Sequence, residues 1–147
     1  MKLLIINGPN MNMLGVREPD IYGKTTYAEL CDTISAYCKD LGVEAEFFQS
    51  NGEGEIITRI HQSYYDNTDG IVINPAAYTH YSYAIFDALK TVSIPAVEVH
   101  ISDITKREDF RRNSVITPAC VARIAGEGIN GYMHAIDILV HKTYKNK

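Results

Sequence analysis

The sequence predicts an α/β fold in which five parallel strands form a sheet covered by helices on both faces. Three observations carry this. Short apolar runs alternate with stretches of helical periodicity five times along the chain. The clearest run, Leu3-Leu4-Ile5-Ile6, is apolar at every position, as in a strand buried on both faces. A length of 147 residues and a hydrophobic fraction of 46% suit one domain, spanning 1–147, with a real core. At this size the doubly wound, flavodoxin-like strand order 2-1-3-4-5 is expected.

Each element follows from local pattern. Residues 2–7 form the first strand. Residues 27–41 form a helix with an apolar stripe of Tyr27, Leu30, Cys31, Ile34, Cys38 and Leu41. Thr26 and Glu29 make a capping box at its start, and Gly42 stops it. Residues 43–49 alternate apolar and polar positions, as in an edge strand. Residues 55–65 are helical, with Ile56, Ile57, Ile60 and Tyr64 on one side. Residues 70–74 make a short buried strand closed by Pro75, and residues 81–92 a helix with Thr79 as its cap. Residues 96–100 form the fourth strand after Pro95, and residues 104–110 a short crossover helix. Residues 119–125 form the fifth strand and residues 131–144 the last helix, and residues 142–147 read as a frayed tail.

Composition excludes several function classes. A net charge of -4 and a pI near 5.7 argue against a nucleic-acid binder that neutralises phosphates. No apolar run approaches the roughly 18–20 residues that span a bilayer. The run ending at Asn7-Gly8-Pro9-Asn10 is too short for a signal peptide. Cys31, Cys38 and Cys120 are odd in number and lack metal-type spacing, so a reduced cytoplasm and no metal are expected. Ten Tyr and no Trp point to tyrosine as a core filler, Tyr27, Tyr37 and Tyr64 among them.

In a doubly wound sheet, ligands bind outside the carboxyl ends of the strands. Four such ends carry polar loops: Asn7-Gly8-Pro9-Asn10-Met11-Asn12, Gln49-Ser50-Asn51-Gly52-Glu53-Gly54, Asn74-Pro75-Ala76-Ala77-Tyr78-Thr79-His80 and His100-Ile101-Ser102-Asp103. Any one of them also suits plain turn chemistry. Residues 15–23, with glycine at both ends and Arg17, Glu18, Asp20 and Tyr22 between, read as a lid over the ligand edge or as a solvated loop. Ionising a free phenol at neutral pH costs about 4 kcal/mol. A guanidinium about 4 Å away supplies roughly that much at an effective dielectric near 20. Tyr22 beside Arg17 is therefore a candidate base, or else a neutral donor. His100 is a candidate acid or a structural strand-end histidine. The backbone after it and the Ser102 hydroxyl form a donor set suited to a carboxylate. Arg107 and Arg111 flank this loop, where they bind an anion or pair with Glu108 and Asp109 on the surface. His61 reads as a surface or packing residue, and His134 and His141 as structural.

Gly126-Glu127-Gly128-Ile129-Asn130-Gly131 matches a dinucleotide fingerprint by letter only, because no second strand or acidic ribose ligand follows. A signalling or flavin-binding module lacks its acidic cluster or phosphate loop, and Schiff-base catalysis lacks a strand-end lysine.

Together the loops resemble type II 3-dehydroquinate dehydratase from about Leu4 to His141. The resemblance rests on Asn7 to Gly15 with Arg17 and Tyr22-Gly23, Gln49 to Gly54, Asn74 to His80, and Glu98-Val99-His100-Ile101-Ser102 with Arg107-Glu108 and Phe110-Arg111. Asp103 stands where the family has asparagine, and Ala76 where glycine is common. The resemblance implies a metal-free, cofactor-free trans dehydration of 3-dehydroquinate through an enolate, a step of the shikimate pathway. It implies Tyr22 as base held ionised by Arg17, Asn10 orienting a water at the enolate oxygen, and His100 as general acid oriented by Glu98. Asn74 would place the departing hydroxyl, Ile101 and Ser102 the carboxylate, and His80, Arg111 and Asp87 the ring hydroxyls. Asp87 would come from a neighbouring subunit of a homododecamer, a tetramer of trimers. Another lyase or a hydrolase on the same scaffold remains the alternative.

Overall fold

The computed structural model describes residues 1–145. In chain order the elements are β1 (Lys2–Asn7), α1 (Pro19–Tyr22), α2 (Tyr27–Asp40), β2 (Glu44–Gln49), α3 (Glu53–Ser63), β3 (Gly70–Asn74), α4 (Tyr83–Val92), β4 (Ala96–His100), β5 (Ala122–Ala125) and α5 (Asn130–Lys145). The sheet is parallel throughout, in the predicted order β2-β1-β3-β4-β5.

Successive side chains of a strand face opposite sides of the sheet, and here both sides are apolar. Leu3 and Ile5 of β1 pack with Leu30, Ile34 and Cys38 of α2 and Tyr132, Ile136 and Leu139 of α5. Leu4 and Ile6 pack with Ile56 and Ile60 of α3 and Ile85, Leu89 and Val92 of α4. Each such aliphatic side chain, removed fully from water, contributes about 1.5–3 kcal/mol of transfer free energy. Among the described residues no helix is long and apolar enough to cross a membrane.

The helix signals in the sequence operate as expected at α2. The Thr26 hydroxyl accepts from the Glu29 N–H at 3.2 Å, and the Glu29 carboxylate accepts from the Thr26 N–H at 2.9 Å. Gly42 adopts φ +67°, which lets the Val43 N–H reach the Cys38 carbonyl at 2.9 Å and close the helix end.

Other expectations are corrected. Residues 104–110 form no crossover helix but two separate 3-10 turns, Ile104–Lys106 and Asp109–Arg111. Ile104 is the one buried residue of that stretch, so no apolar stripe holds a helix there. The Asp103 side chain takes the Thr105 N–H at 3.0 Å and turns the chain early. Ser82, not Thr79, caps α4, accepting from the Ile85 N–H at 3.0 Å. The fifth strand begins at Ala122, because Pro118 sits in a 3-10 turn at Thr117–Ala119. Tyr64 closes α3 and is 66% exposed, so it is not a packing residue. Tyr27 and Tyr37 do pack against the core. Helix α5 runs through Lys145, into the expected frayed tail, whose last two residues lie outside the described residues.

Register levels the strand ends. Asn7 lies beside Gln49 on one side and Asn74 on the other. Beyond them the Gly8 N–H donates to the Asn74 carbonyl at 2.8 Å. A Cβ at Gly8 would stand 2.6 Å from the Pro75 carbonyl oxygen, a backbone atom that cannot step aside. Gly8→Ala is therefore expected to destabilise the protein by roughly 1–3 kcal/mol, measured by denaturant unfolding.

Candidate active site

The carboxyl ends of β1, β3 and β4, the loop holding α1 and the turns after β4 surround one pocket. Of the residues expected from sequence, Asn10, Arg17, Tyr22, Asn74, His80, His100, Ile101, Ser102 and Arg111 line it. Glu98 lies behind His100, fully buried. Asp87 is exposed on α4 and does not line the pocket. Arg107 joins the lining, with Met11, Leu14, Ala76, Ala77 and Ile104 supplying its apolar part.

Tyr22 ends the single turn α1, between Gly15 and Gly23, both at positive φ. Two guanidinium groups meet it. Arg107 donates from Nη1 to the phenol oxygen at 3.0 Å, and Arg17 stacks its guanidinium 4.9 Å from the ring centroid. From sequence, Arg17 is expected at the phenol, and Arg107 either at the site or paired on the surface. The contact to the oxygen belongs to Arg107, which also reaches the Ser102 hydroxyl at 3.4 Å. The hydrogen bond to Tyr22 holds the Arg107 cation more firmly than usual, against a smaller opposing effect of burial. Arg107 also lies 3.6 Å from Glu108, so it lines the pocket and pairs with that carboxylate together.

His100 donates its Nε2–H to the Glu98 carboxylate at 2.6 Å. Nδ1 is then the nitrogen left to exchange a proton with a ligand. Thr79 and Thr117 donate hydroxyls to Glu98, and Ser114 donates at 2.9 Å. Burial alone pushes the Glu98 carboxyl up. The bond and charge of His100, with the two threonine hydroxyls, outweigh it and hold the group below its ordinary range. Thr79 was expected to cap α4; its hydroxyl is committed here instead.

His80 donates Nδ1–H to the Asn113 carbonyl at 2.7 Å. Burial, helped by His100 and Arg111, lowers its proton affinity, so the neutral ring offers Nε2 as an acceptor. Asn10, at φ 68°, is held through its N–H by the Asn51 side chain at 3.0 Å. The Gln49-Ser50-Asn51 motif thus supports the first loop from outside the lining. Gly126 and Gly128, part of the apparent dinucleotide fingerprint, donate their N–H groups to the His100 and Ile101 carbonyls at 3.3 and 3.1 Å. They brace the β4 loop from behind. Among the described residues no group of three His, Cys, Asp or Glu is placed to hold a metal ion. His61 and His141 are exposed, and His134 pairs with Glu127 at 3.0 Å on the surface.

Because the Glu98 proton affinity is depressed by folding, the stability it contributes is present above its ordinary value of 4.5 and is lost as pH falls below that. Wild-type stability, followed by chemical denaturation between pH 6 and 3, is expected to fall more steeply than that of Glu98→Gln.

The match to known proteins is extensive. The family model of class II dehydroquinases matches residues 1–140. A 3-dehydroquinate dehydratase of Caldicellulosiruptor saccharolyticus is 59% identical over 92% of this chain and 93% of its own. The crystal structure of a type II dehydroquinase from Butyrivibrio crossotus superposes with a TM-score of 0.94 at 56% identity, covering 95% of this chain and 97% of that one. A type II dehydroquinase from Propionibacterium acnes gives 0.90 at 44%, covering 94% of each chain. With this fold, this pocket and these relatives, the chain belongs to the class II dehydroquinase family.

Proposed function

We propose that this protein dehydrates 3-dehydroquinate, the reaction its relatives are named for, and that it forms 3-dehydroshikimate by a trans elimination through an enolate. The observation that carries the reading is the pairing of two proton-transfer groups around one pocket. Tyr22 sits between two guanidinium groups, and His100 is backed by a buried carboxylate.

In this mechanism Tyr22, as tyrosinate, removes the C2 proton beside the ketone. Arg107 at the oxygen and Arg17 over the ring stabilise the anion. Negative charge then moves to the ketone oxygen, where Asn10 orients a stabilising water. His100 delivers a proton from Nδ1 to the C1 hydroxyl, which departs as water. Its Nε2 remains bound to Glu98, which holds the ring and balances the imidazolium. Ile101 and Ser102 take the substrate carboxylate through backbone N–H and hydroxyl. Arg111 and His80 take the ring hydroxyls, His80 accepting at Nε2.

Asp87 is proposed to complete the site of a neighbouring subunit. Its exposed place on α4 supports that reading. The homododecamer, the cytoplasmic setting, the use of no metal or cofactor and the shikimate-pathway role belong to the same proposal.

Mixing the protein with 3-dehydroquinate is expected to raise ultraviolet absorbance from the conjugated enone. Tyr22→Phe is expected to lower turnover by roughly 10²–10⁴-fold, the usual worth of a general base. Full activity in that variant would remove Tyr22 from its role. His100→Ala is expected to lose turnover while keeping substrate affinity. Borohydride added with substrate is expected to leave activity intact, and covalent trapping would contradict the enolate route.

A further inference from the structure

Behind Asn74 a buried chain of hydrogen bonds runs away from the pocket. Asn74 is 4% exposed, and Asn7 and Tyr132 are fully buried. The Tyr132 hydroxyl accepts from Asn74 Nδ2 at 3.0 Å and donates to Asn7 Oδ1 at 2.5 Å. The second hydrogen of Nδ2 points to the Met11 sulfur at 3.5 Å. The Ala76 N–H donates to Asn74 Oδ1 at 3.1 Å.

These contacts leave no freedom in the amide. A backbone N–H only donates, so the atom facing Ala76 is the oxygen, and turning the amide over would set two donors against each other. Both Nδ2 hydrogens are then occupied within the protein. Of the two lone pairs on Oδ1, one is taken and one remains. Asn74 therefore offers a ligand one acceptor and no donor.

We propose that Tyr132, supported by Asn7, is a positioning residue that fixes Asn74 as an acceptor for the departing hydroxyl. This rests on the reading of the site given above. A hydroxyl that donates its single hydrogen to Asn74 keeps its lone pairs free, and one of them faces the proton on His100. Were Asn74 reversed, its amide hydrogens would occupy those lone pairs and compete with the acid. Tyr132 touches no ligand; it acts through Asn74.

The experiment is a double-mutant cycle on the intact protein with Tyr132→Phe and Asn74→Ala. Tyr132→Phe removes one oxygen and keeps the ring. It is expected to lower kcat about 10-fold or more, as small misplacements of reacting groups do, with KM changed less than about threefold. In the Asn74→Ala background it is expected to add nothing. Affinity for 3-dehydroshikimate, which lacks the departing hydroxyl, is expected to stay within about twofold. Hydrogen exchange at the Asn74 side-chain amide, followed by NMR, is expected to speed up about 10-fold when its acceptor is lost. Should Tyr132→Phe fail to fold, Asn7→Leu cuts the chain one link further out and is read in the same cycle.

Unchanged kcat, an equal loss in the Asn74→Ala background, or product affinity falling in step with kcat would each overturn the positioning role. A wild-type protein inert toward 3-dehydroquinate would instead overturn the function reading and the leaving-group role with it. The amide exchange would then report whether Tyr132 still orders Asn74.

Discussion

A carboxylate shut away from water is stable only if donors replace its hydration, and Glu98 in β4 is fully buried. Its four donors come from three places: His100 two residues along the strand, Thr79 in the turn after β3, and Ser114 and Thr117 in the segment leading to β5. One buried charge thereby sets the ring of His100, ties two loops to β4, and takes the hydroxyl that sequence pattern assigns to the cap of α4. Removing any one donor leaves the charge short of a partner, so the elements around it behave as a unit.

The opposite wall of the pocket is organised by cations. Arg107, 15% exposed at its side chain, donates to the Tyr22 oxygen at 3.0 Å while its Nε lies 3.6 Å from the more exposed Glu108. Its second contact, to Ser102, links the α1 loop with the loop after β4. The tyrosine and histidine sides of the site therefore share Arg107, and neither loop shifts without disturbing the other.

The sheet was almost wholly legible because its determinants are local. Consecutive apolar residues at 3–6 and 71–73, Pro at 75 and 95 and the box at Thr26 and Glu29 each declare an element without help from distant residues. The segment between β4 and β5 was not, since its conformation depends on side-chain commitments made across space: Asp103 to Thr105, Ser114 and Thr117 to Glu98. Loop motifs located the site and the family resemblance assigned its roles, but the partner of the Tyr22 oxygen was hidden. Arg107 is followed by Glu108 and Asp109, a run that reads equally well as surface pairing. Tyr132 was missed for a similar reason. Its hydroxyl meets partners 58 and 125 residues away, and nothing in the pattern of α5 separates it from an ordinary core tyrosine.

The three guanidinium groups at the pocket mouth sit on a chain whose net charge is -4. Far from the surface the protein repels an anion, while within the mouth it attracts one. The Debye length, about 8 Å at physiological ionic strength, separates these regimes. Salt screens the distant repulsion before it weakens the partly enclosed near field. Moderate ionic strength therefore favours encounter with an anionic molecule, the reverse of what is found for enzymes whose overall charge opposes that of their substrates.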